Sequence, residues 1–320
     1  VAPDPSIRAV PTLLLLALAE LLGMSLWFSA NAVSDEFRAL WSLSAAQAGW
    51  LTTVVQLGFV AGTATAALLN LADVIPARRY FAASAVLGAV VNALLVVAPG
   101  YAFALFLRFA TGFFLAGVYP PGMKMAATWF RQGRGLAIGT LVGALTVGKA
   151  APYLMKAWAP AGIAFVVLSV SAGAVLAAVL ILVGYRDGPY PFPRRRFSWH
   201  LVGIVVRHRE WRLATGGYLG HMWELYAFWT WIPAFLAASV TAAAQRVDAS
   251  LVSVAAFSVI AAGGAGCLWG GWLADRIGYD RLVIRALVAS GVCSLLAAAV
   301  FGGPLWLLLP LALTWGFFVV

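Results

Sequence analysis

Charge is what this sequence lacks. Only 10% of its 320 residues are Asp, Glu, Lys or Arg, 63% are hydrophobic, and the mean hydropathy is +0.94. Soluble domains carry about 25% charged residues. No soluble core could hide this much apolar surface, so the solvent around the chain is lipid. Cysteine is scarce as well. Cys267 and Cys293 both fall inside apolar segments, which reads as two buried thiols and excludes a disulfide framework. Glycine-rich nucleotide loops, a nucleophile elbow and a multi-ligand metal cluster are all missing, so the sequence does not read as an enzyme and implies no cofactor. The alternating apolar and polar pattern of a membrane barrel strand is missing too.

What is present is a series of long apolar runs. A helix satisfies its own backbone hydrogen bonds in hydrocarbon and needs about 20 residues to cross. Ten candidate spans can be marked, at 11–34, 44–69, 80–98, 101–129, 134–157, 160–185, 212–237, 247–272, 281–301 and 303–320. No small-residue cleavage site follows the first, so it reads as a retained helix. The predicted class is an all-α integral membrane protein. Its net charge of +10 has a topological explanation. With the N-terminus in the cytoplasm, fifteen arginines fall inside and only Arg38, Lys156 and Arg246 outside, as the enrichment of Lys and Arg in cytoplasmic loops requires. Nucleic acid is not needed as a partner. The bilayer is the implied one, and an inner (cell) membrane the implied location.

The chain also repeats. "ELLGMSLW" at 20–27 and "ELYAFWTW" at 224–231 share Glu, Leu and Trp at an offset of 204. Asp73 and Asp275, in two charged turns, are 202 apart, and "GFF" at 112–114 recurs at 316–318. Together these point to two homologous halves, as in transporters built from parallel repeats. The predicted organisation is a six-helix bundle over 1–185, a basic cytoplasmic linker over 186–211, and an incomplete second bundle over 212–320. About 70 residues follow Gly112 in the first half and four follow Gly316 in the second. That reads as a fragment with a truncated tenth helix, drawn from a chain of twelve. In the linker, Pro189, Pro191 and Pro193 favour an extended start and Arg194–Arg196 form a basic run. The following "FSWHLVGIVVRHREW" reads as an amphipathic helix on the cytoplasmic leaflet.

With "GWLADRIGYDR" at 271–281 and "RFATG" at 108–112, the chain resembles the major facilitator superfamily. There the loop between the second and third helices reads close to G-x-L-A-D-R-x-G-R-R, a related copy follows the eighth helix, and R-x-x-x-G lies on the fourth. The worn first copy, "LNLADVIPARR" at 69–79, keeps the charges Asp73, Arg78 and Arg79. The resemblance implies two six-helix halves about a pseudo-two-fold axis, a monomer, and transport of a small molecule by alternating access. It also implies a role in proton handling for Arg108. The stretch 119–139, "YPPGMKMAATWFRQGRGLAIG", is similar to nitrate/nitrite-type and cyanate-type members. Read as chemistry, the charged turn is a conformational gate built from Asp73, Arg78, Arg79, Gly271, Asp275, Arg276, Gly278 and Arg281. Asp275 would sit at the N-terminus of a neighbouring helix, where the dipole favours negative charge. The arginines would pair with carboxylates or lipid phosphates.

Ionisable residues in a span cost at least about 2.5–3.5 kcal/mol, which makes each a functional candidate. Six are found: Glu20, Arg108, Lys124, Lys149, His221 and Glu224. Glu20 and Glu224 are repeat equivalents near mid-depth. Because the resembled fold lines its cavity with the first and seventh helices, both carboxylates are expected to face one site. Glu224 is the preferred proton carrier, with a buried ion pair as the alternative. His221, one turn earlier, is placed to share its proton, and Tyr218 lies on the same face. Metal binding needs more ligands than His221 and Glu224 offer. Trp27, Trp223, Trp229 and Trp231 are candidate cavity walls. Lys124 would bind an anionic substrate or snorkel, and Lys149 would pair with Glu20 or Glu224 or meet substrate. Gly135, Gly139 and Gly143 form a small face for helix packing. The excess of cations favours a small organic anion moved with protons. The alternatives are a drug or metabolite exporter of the same fold, and a membrane factor that binds a partner without transport.

Overall fold

The computed structural model describes residues 5–158, 162–190 and 198–320, and these form helices and connecting turns. In chain order the first half contains α1 (Pro5–Met24), the short α2 (Ser29–Ala32), α3 (Ser34–Trp41), α4 (Ala45–Leu68), the short α5 (Leu71–Val74) and α6 (Ala77–Ala93). It continues with α7 (Tyr101–Leu115), α8 (Tyr119–Ala127), α9 (Arg134–Trp158) and α10 (Gly162–Gly184). Then come α11 (Trp199–Arg207), α12 (Arg209–Ala242), α13 (Ala249–Ile277), α14 (Tyr279–Val300) and α15 (Leu305–Phe318). Eight helices among the described residues are long and apolar enough to cross a membrane, counting α7 and α8 as one. The twenty-residue α1 and the shorter α15 supply the other two apolar helices of the ten expected. Large apolar side chains point outward, as lipid requires: Val60 is 65% exposed and Phe106 62%.

Two expected spans are broken. The first leaves helical geometry over Ser25–Phe28, where the hydroxyls of Ser25 and Ser29 donate back to the Leu22 and Leu26 carbonyls. The fourth breaks between Leu115 and Tyr119. Pro120 and Pro121 then sit in the first turn of α8, where a missing N–H costs nothing. The seventh helix starts at Arg209 and runs to Ala242, longer at both ends than its apolar core. Before it, α11 is capped by Ser198 and carries exposed Trp199, Leu201 and Ile204, an apolar face available to lipid. Residues 191–197, with Pro191, Pro193 and Arg194–Arg196, lie outside the described residues.

The repeat reappears as a repeat of contacts. In the first half a Cβ added at Gly112 of α7 would strike the Val55 carbonyl of α4, and one at Gly62 would strike the Phe113 carbonyl. In the second half a Cβ at Gly316 of α15 would strike the Val259 carbonyl of α13, and one at Gly266 the Phe317 carbonyl. Every partner in the second set lies 204 residues after its counterpart. Small residues at these four positions let backbones approach to contact, the usual source of helix affinity where lipid removes the hydrophobic drive.

Candidate functional site

Arg108 of α7 explains the break in the first helix. It is fully buried, and its hydrogen-bond partners are all neutral. Nη1 donates to the Leu26 carbonyl (3.1 Å), the Ser29 hydroxyl (3.0 Å) and Asn92 Oδ1 (3.2 Å), Nε to the Leu51 carbonyl (3.3 Å), and Nη2 to the Trp27 carbonyl. The Leu26 and Trp27 carbonyls of the unwound turn thus share donors from one guanidinium. Asn92 of α6 extends the network, donating from Nδ2 to the Ser171 hydroxyl (3.0 Å) and the Val167 carbonyl (3.3 Å) of α10. The equivalent of Arg108 in the second half is Ala312. There α12 stays helical through 229–232, the residues matching 25–28. In this arrangement Arg108 braces the broken helix, its donors occupied by neutral acceptors.

The break delivers Trp27 to the boundary between the halves, where it meets Lys149 of α9. Lys149 Nζ lies 4.2 Å from the Trp27 ring centre, 4.2 Å from that of Trp229 and 5.0 Å from that of Tyr226. The three rings form a cage by cation–π attraction, and Nζ also donates a long bond to the Tyr226 hydroxyl (3.4 Å). Trp27 and Tyr226 stack at 5.7 Å, and Tyr226 meets Trp229 edge-on at 5.4 Å. Lys149 is 3% exposed and forms no ion pair with Glu20 or Glu224 among the described residues, which corrects the pairing expected for it. The Trp27 and Trp229 indole N–H groups are buried without a hydrogen-bond partner.

Glu20 of α1 is fully buried, and neither carboxylate oxygen has a hydrogen-bond partner among the described residues. It lies against Gly122 of α8, whose missing side chain leaves the space Oε1 occupies. Tyr119 is within electrostatic reach of Glu20, and also of Tyr218 and Cys267 from the second half. Glu224 does not join it. Its Oε1 accepts a hydrogen bond from the Ser290 hydroxyl of α14 (2.6 Å), which in turn accepts one from the Trp315 indole (3.1 Å). Glu224 borders a groove of about 400 Å³ with Phe228, Trp231, Phe235 and Trp315, inside its own half. His221 stays beside Glu224, while Tyr218 is 60% exposed. The expectation that the two carboxylates face one site is therefore corrected. Trp231, the repeat partner of Trp27, lines the groove, and Trp229 takes its place in the cage.

Lys124 is corrected as well. Its ammonium is held by the Asp73 carboxylate and the Ala72 carbonyl, which ties α8 to the first charged turn and away from the cage. At the second turn the Asp275 carboxylate lies over Gly135, in the first turn of α9. Below the cage α9 and α13 make the most extensive helix pairing among the described residues. Cβ atoms added at Gly135, Gly139 and Gly143 would strike the carbonyls of Gly271, Cys267 and Gly264 respectively. This seam joins the two halves. Gly278 makes the following turn at φ 87°, a conformation that favours glycine. Arg276 stacks on Trp272 at 3.8 Å, and Arg78, Arg79 and Arg281 form no ion pair among the described residues. No three His, Cys, Asp or Glu side chains gather as a metal site among the described residues.

Asp275→Asn is expected to loosen the seam. An anion at a helix N-terminus contributes about 0.3–1 kcal/mol, up to about 2 when partly buried. The open population should rise severalfold, read as faster maleimide labelling of Cys267 beneath the seam. Unchanged labelling would show that Asp275 does not hold the halves together.

Sequence reasoning passed over Tyr119, Tyr226, Ser29 and Asn92. A lone amide inside "AVVNALLVV" was a usable signal for Asn92. Nothing marked Tyr226 apart from its aromatic neighbours.

Two helical halves joined along a glycine seam, with ionisable side chains buried at their boundary, define a multi-pass membrane transporter rather than an enzyme. The sequence pattern of the Major Facilitator Superfamily matches residues 12–320, and the chain belongs to that family. Among solved structures its fold is similar to the nucleoside transporter NupG, with TM-score 0.73 and 14% identity over 96% of this chain and 79% of that one. It is similar to the proton:xylose symporter XylE bound to 6-bromo-6-deoxy-D-glucose, with TM-score 0.70 and 14% identity over 98% and 80%. A bacterial homologue of the human lysosomal transporter Spinster, inward-facing and unoccupied, gives TM-score 0.63 and 16% identity over 100% and 74%. At these identities the likeness is one of fold. No curated protein sequence matches the chain.

Proposed function

We propose that this protein is a proton-coupled secondary transporter of a small organic anion, working as a monomer by alternating access in the inner membrane with its N-terminus in the cytoplasm. The observation that carries this reading is Glu20. A carboxylate with no hydrogen-bond partner and no cation beside it would cost several kcal/mol in its charged form at such a site. Glu20 therefore holds its proton while the seam is closed and releases it when the halves part. Tyr119 stands between it and the second half as the adjoining hydroxyl. Glu224, tied to Ser290 within its own bundle, is a structural acid in this reading. The gate is the α9–α13 seam with Asp275 at its end, and the basic loops place that end on the cytoplasmic side. The resemblance of 119–139 to carriers of small inorganic anions agrees with an anionic cargo.

A thermal-shift screen of organic anions, cations and drugs supplies the solute for the test. Glu20→Gln mimics the protonated acid permanently and leaves no charge unpaired, so the protein should fold normally. In proteoliposomes, accumulation driven by a pH gradient should vanish, while exchange of labelled for unlabelled solute continues. Glu224→Gln should keep both. Full pH-driven accumulation by a well-folded Glu20→Gln protein would overturn the assignment.

A further inference from the structure

The cage around Lys149 is rich in donors, and among the described residues the one acceptor it offers is the Tyr226 hydroxyl. The ammonium carries three N–H bonds, and one 3.4 Å contact to the Tyr226 hydroxyl is its only hydrogen bond among the described residues. Two indole N–H groups, from Trp27 at 1% exposure and Trp229 at 2%, belong to rings lying 4.2 Å from that ammonium, and neither has a hydrogen-bond partner among the described residues. Buried donors are ordinarily satisfied, and an unsatisfied set in one place calls for a specific explanation. The other basic groups of the spans are already engaged, Arg108 by carbonyls and neutral side chains and Lys124 by Asp73. Lys149 is thus a cation at the boundary that no carboxylate answers among the described residues.

The cage is also divided between the halves. Trp27 and Lys149 come from the first, Tyr226 and Trp229 from the second. When the halves part, Lys149 must lose ring faces that now offset its charge, and the two indoles become accessible from the opening. We propose that Lys149 with the Trp27 and Trp229 indole N–H groups forms the head-group subsite for a singly charged planar oxyanion. This rests on the transporter reading above and names its cargo. One cation sets one negative charge. The indole donors set an oxygen acceptor, and the surrounding rings, with Phe28 and Phe59 behind them, accommodate a flat or apolar body. With the seam closed, the aromatic faces offset the ammonium's charge.

The test measures binding to the full chain in detergent without a pH gradient, by calorimetry, with benzoate, nitrate, benzamide and benzylamine as probes. Benzoate is expected to bind, and the neutral amide and the amine to bind at least about tenfold more weakly, the discrimination a charged hydrogen bond provides. Nitrate binding as well as benzoate would assign the subsite to a free inorganic anion, and the charge requirement would stand. Lys149→Met should weaken benzoate about tenfold or more and Lys149→Arg much less. Trp229→Phe, which keeps a ring and removes the N–H, should weaken it severalfold. Where Lys149→Met fails to fold, the probe series on the parent and Trp229→Phe decide. Benzamide binding as tightly as benzoate, no binding of either anion, or full affinity in Trp229→Phe together with Lys149→Met, would overturn the subsite. The two readings fail separately. Anion binding with coupling intact in Glu20→Gln removes only the proton role, and lost coupling in Glu20→Gln without anion selectivity removes the subsite and the anionic cargo while the proton role stands.

Discussion

Arg108→Met is expected to destabilise the first bundle by about 3–5 kcal/mol, since hydrogen bonds from a charged group contribute about 1.5–3 kcal/mol each and a buried acceptor left bare costs about 1–3 kcal/mol. Methionine fills much of the arginine's volume but donates nothing. The Trp27 carbonyl would lose its donor, the Leu26 carbonyl would keep only the Ser29 groups, the Leu51 carbonyl would keep only its place within α4, and Asn92 Oδ1 would compete with Leu26 for the single Ser29 hydroxyl proton. Two outcomes could follow locally. Residues 25–28 could rewind into a continuous helix, recovering their carbonyls but swinging Trp27 away from Lys149, or the break could persist with its polar groups bare. Either way stability in detergent falls, and the cage is lost or loosened. Arg108→Lys keeps the charge but not the fork that reaches three carbonyls, so it should recover little. Full stability of Arg108→Lys with a shifted pH profile of transport would favour a proton role over the brace.

Gly139→Leu is expected to abolish transport while leaving each bundle folded. A Cβ there points into the Cys267 carbonyl, with the Gly271 Cα at 3.3 Å beside it. The seam can admit a leucine only by parting. Overpacking costs about 1–3 kcal/mol, and here that cost falls on the closed state alone, because the glycine face is free of α13 when the halves separate. The equilibrium should shift toward the open seam by about tenfold or more. Cys267 reports the shift. It is 9% exposed beneath Gly139 and Gly143, and in a Cys293→Ala background its maleimide labelling rate should rise by a similar factor. Transport lost with Cys267 still protected would mean that the substitution damaged the fold rather than the gate.

These two variants also separate what was legible from what was not. The membrane class, the helical spans and the two-fold repeat could be read from the sequence, because lipid imposes length and apolarity on every span. The glycine face of α9 was legible for a related reason: a small residue every fourth position marks a packing stripe whatever lies across it. For Asp275 the kind of partner could be named, the N-terminus of a neighbouring helix, but not which helix; its place over Gly135 is a property of the packing.

The site depended on facing, and facing is a property of the tertiary structure. Glu224 and Tyr226 are two residues apart on α12, roughly 200° around a helix of 3.6 residues per turn, so one turns to Ser290 and the other to Lys149. Both sides of that helix are aromatic, and apolar patterning cannot distinguish a side packed on its own half from one packed on the other. Equivalence under the repeat misled for the same reason. It pairs Glu20 with Glu224 and Trp27 with Trp231, but the first helix is broken beside Arg108 and the seventh, in the half with Ala312 at the equivalent position, is not. A single guanidinium, collecting carbonyls from residues 57 to 82 positions away, turns one copy of the motif toward the boundary and leaves the other inside its bundle. The sequence alone determined that this chain would be two helical halves in lipid. Which of its buried charges meet at their boundary was decided only by the packing that breaks the symmetry, because each buried polar group takes the partner that the assembled helices bring within reach.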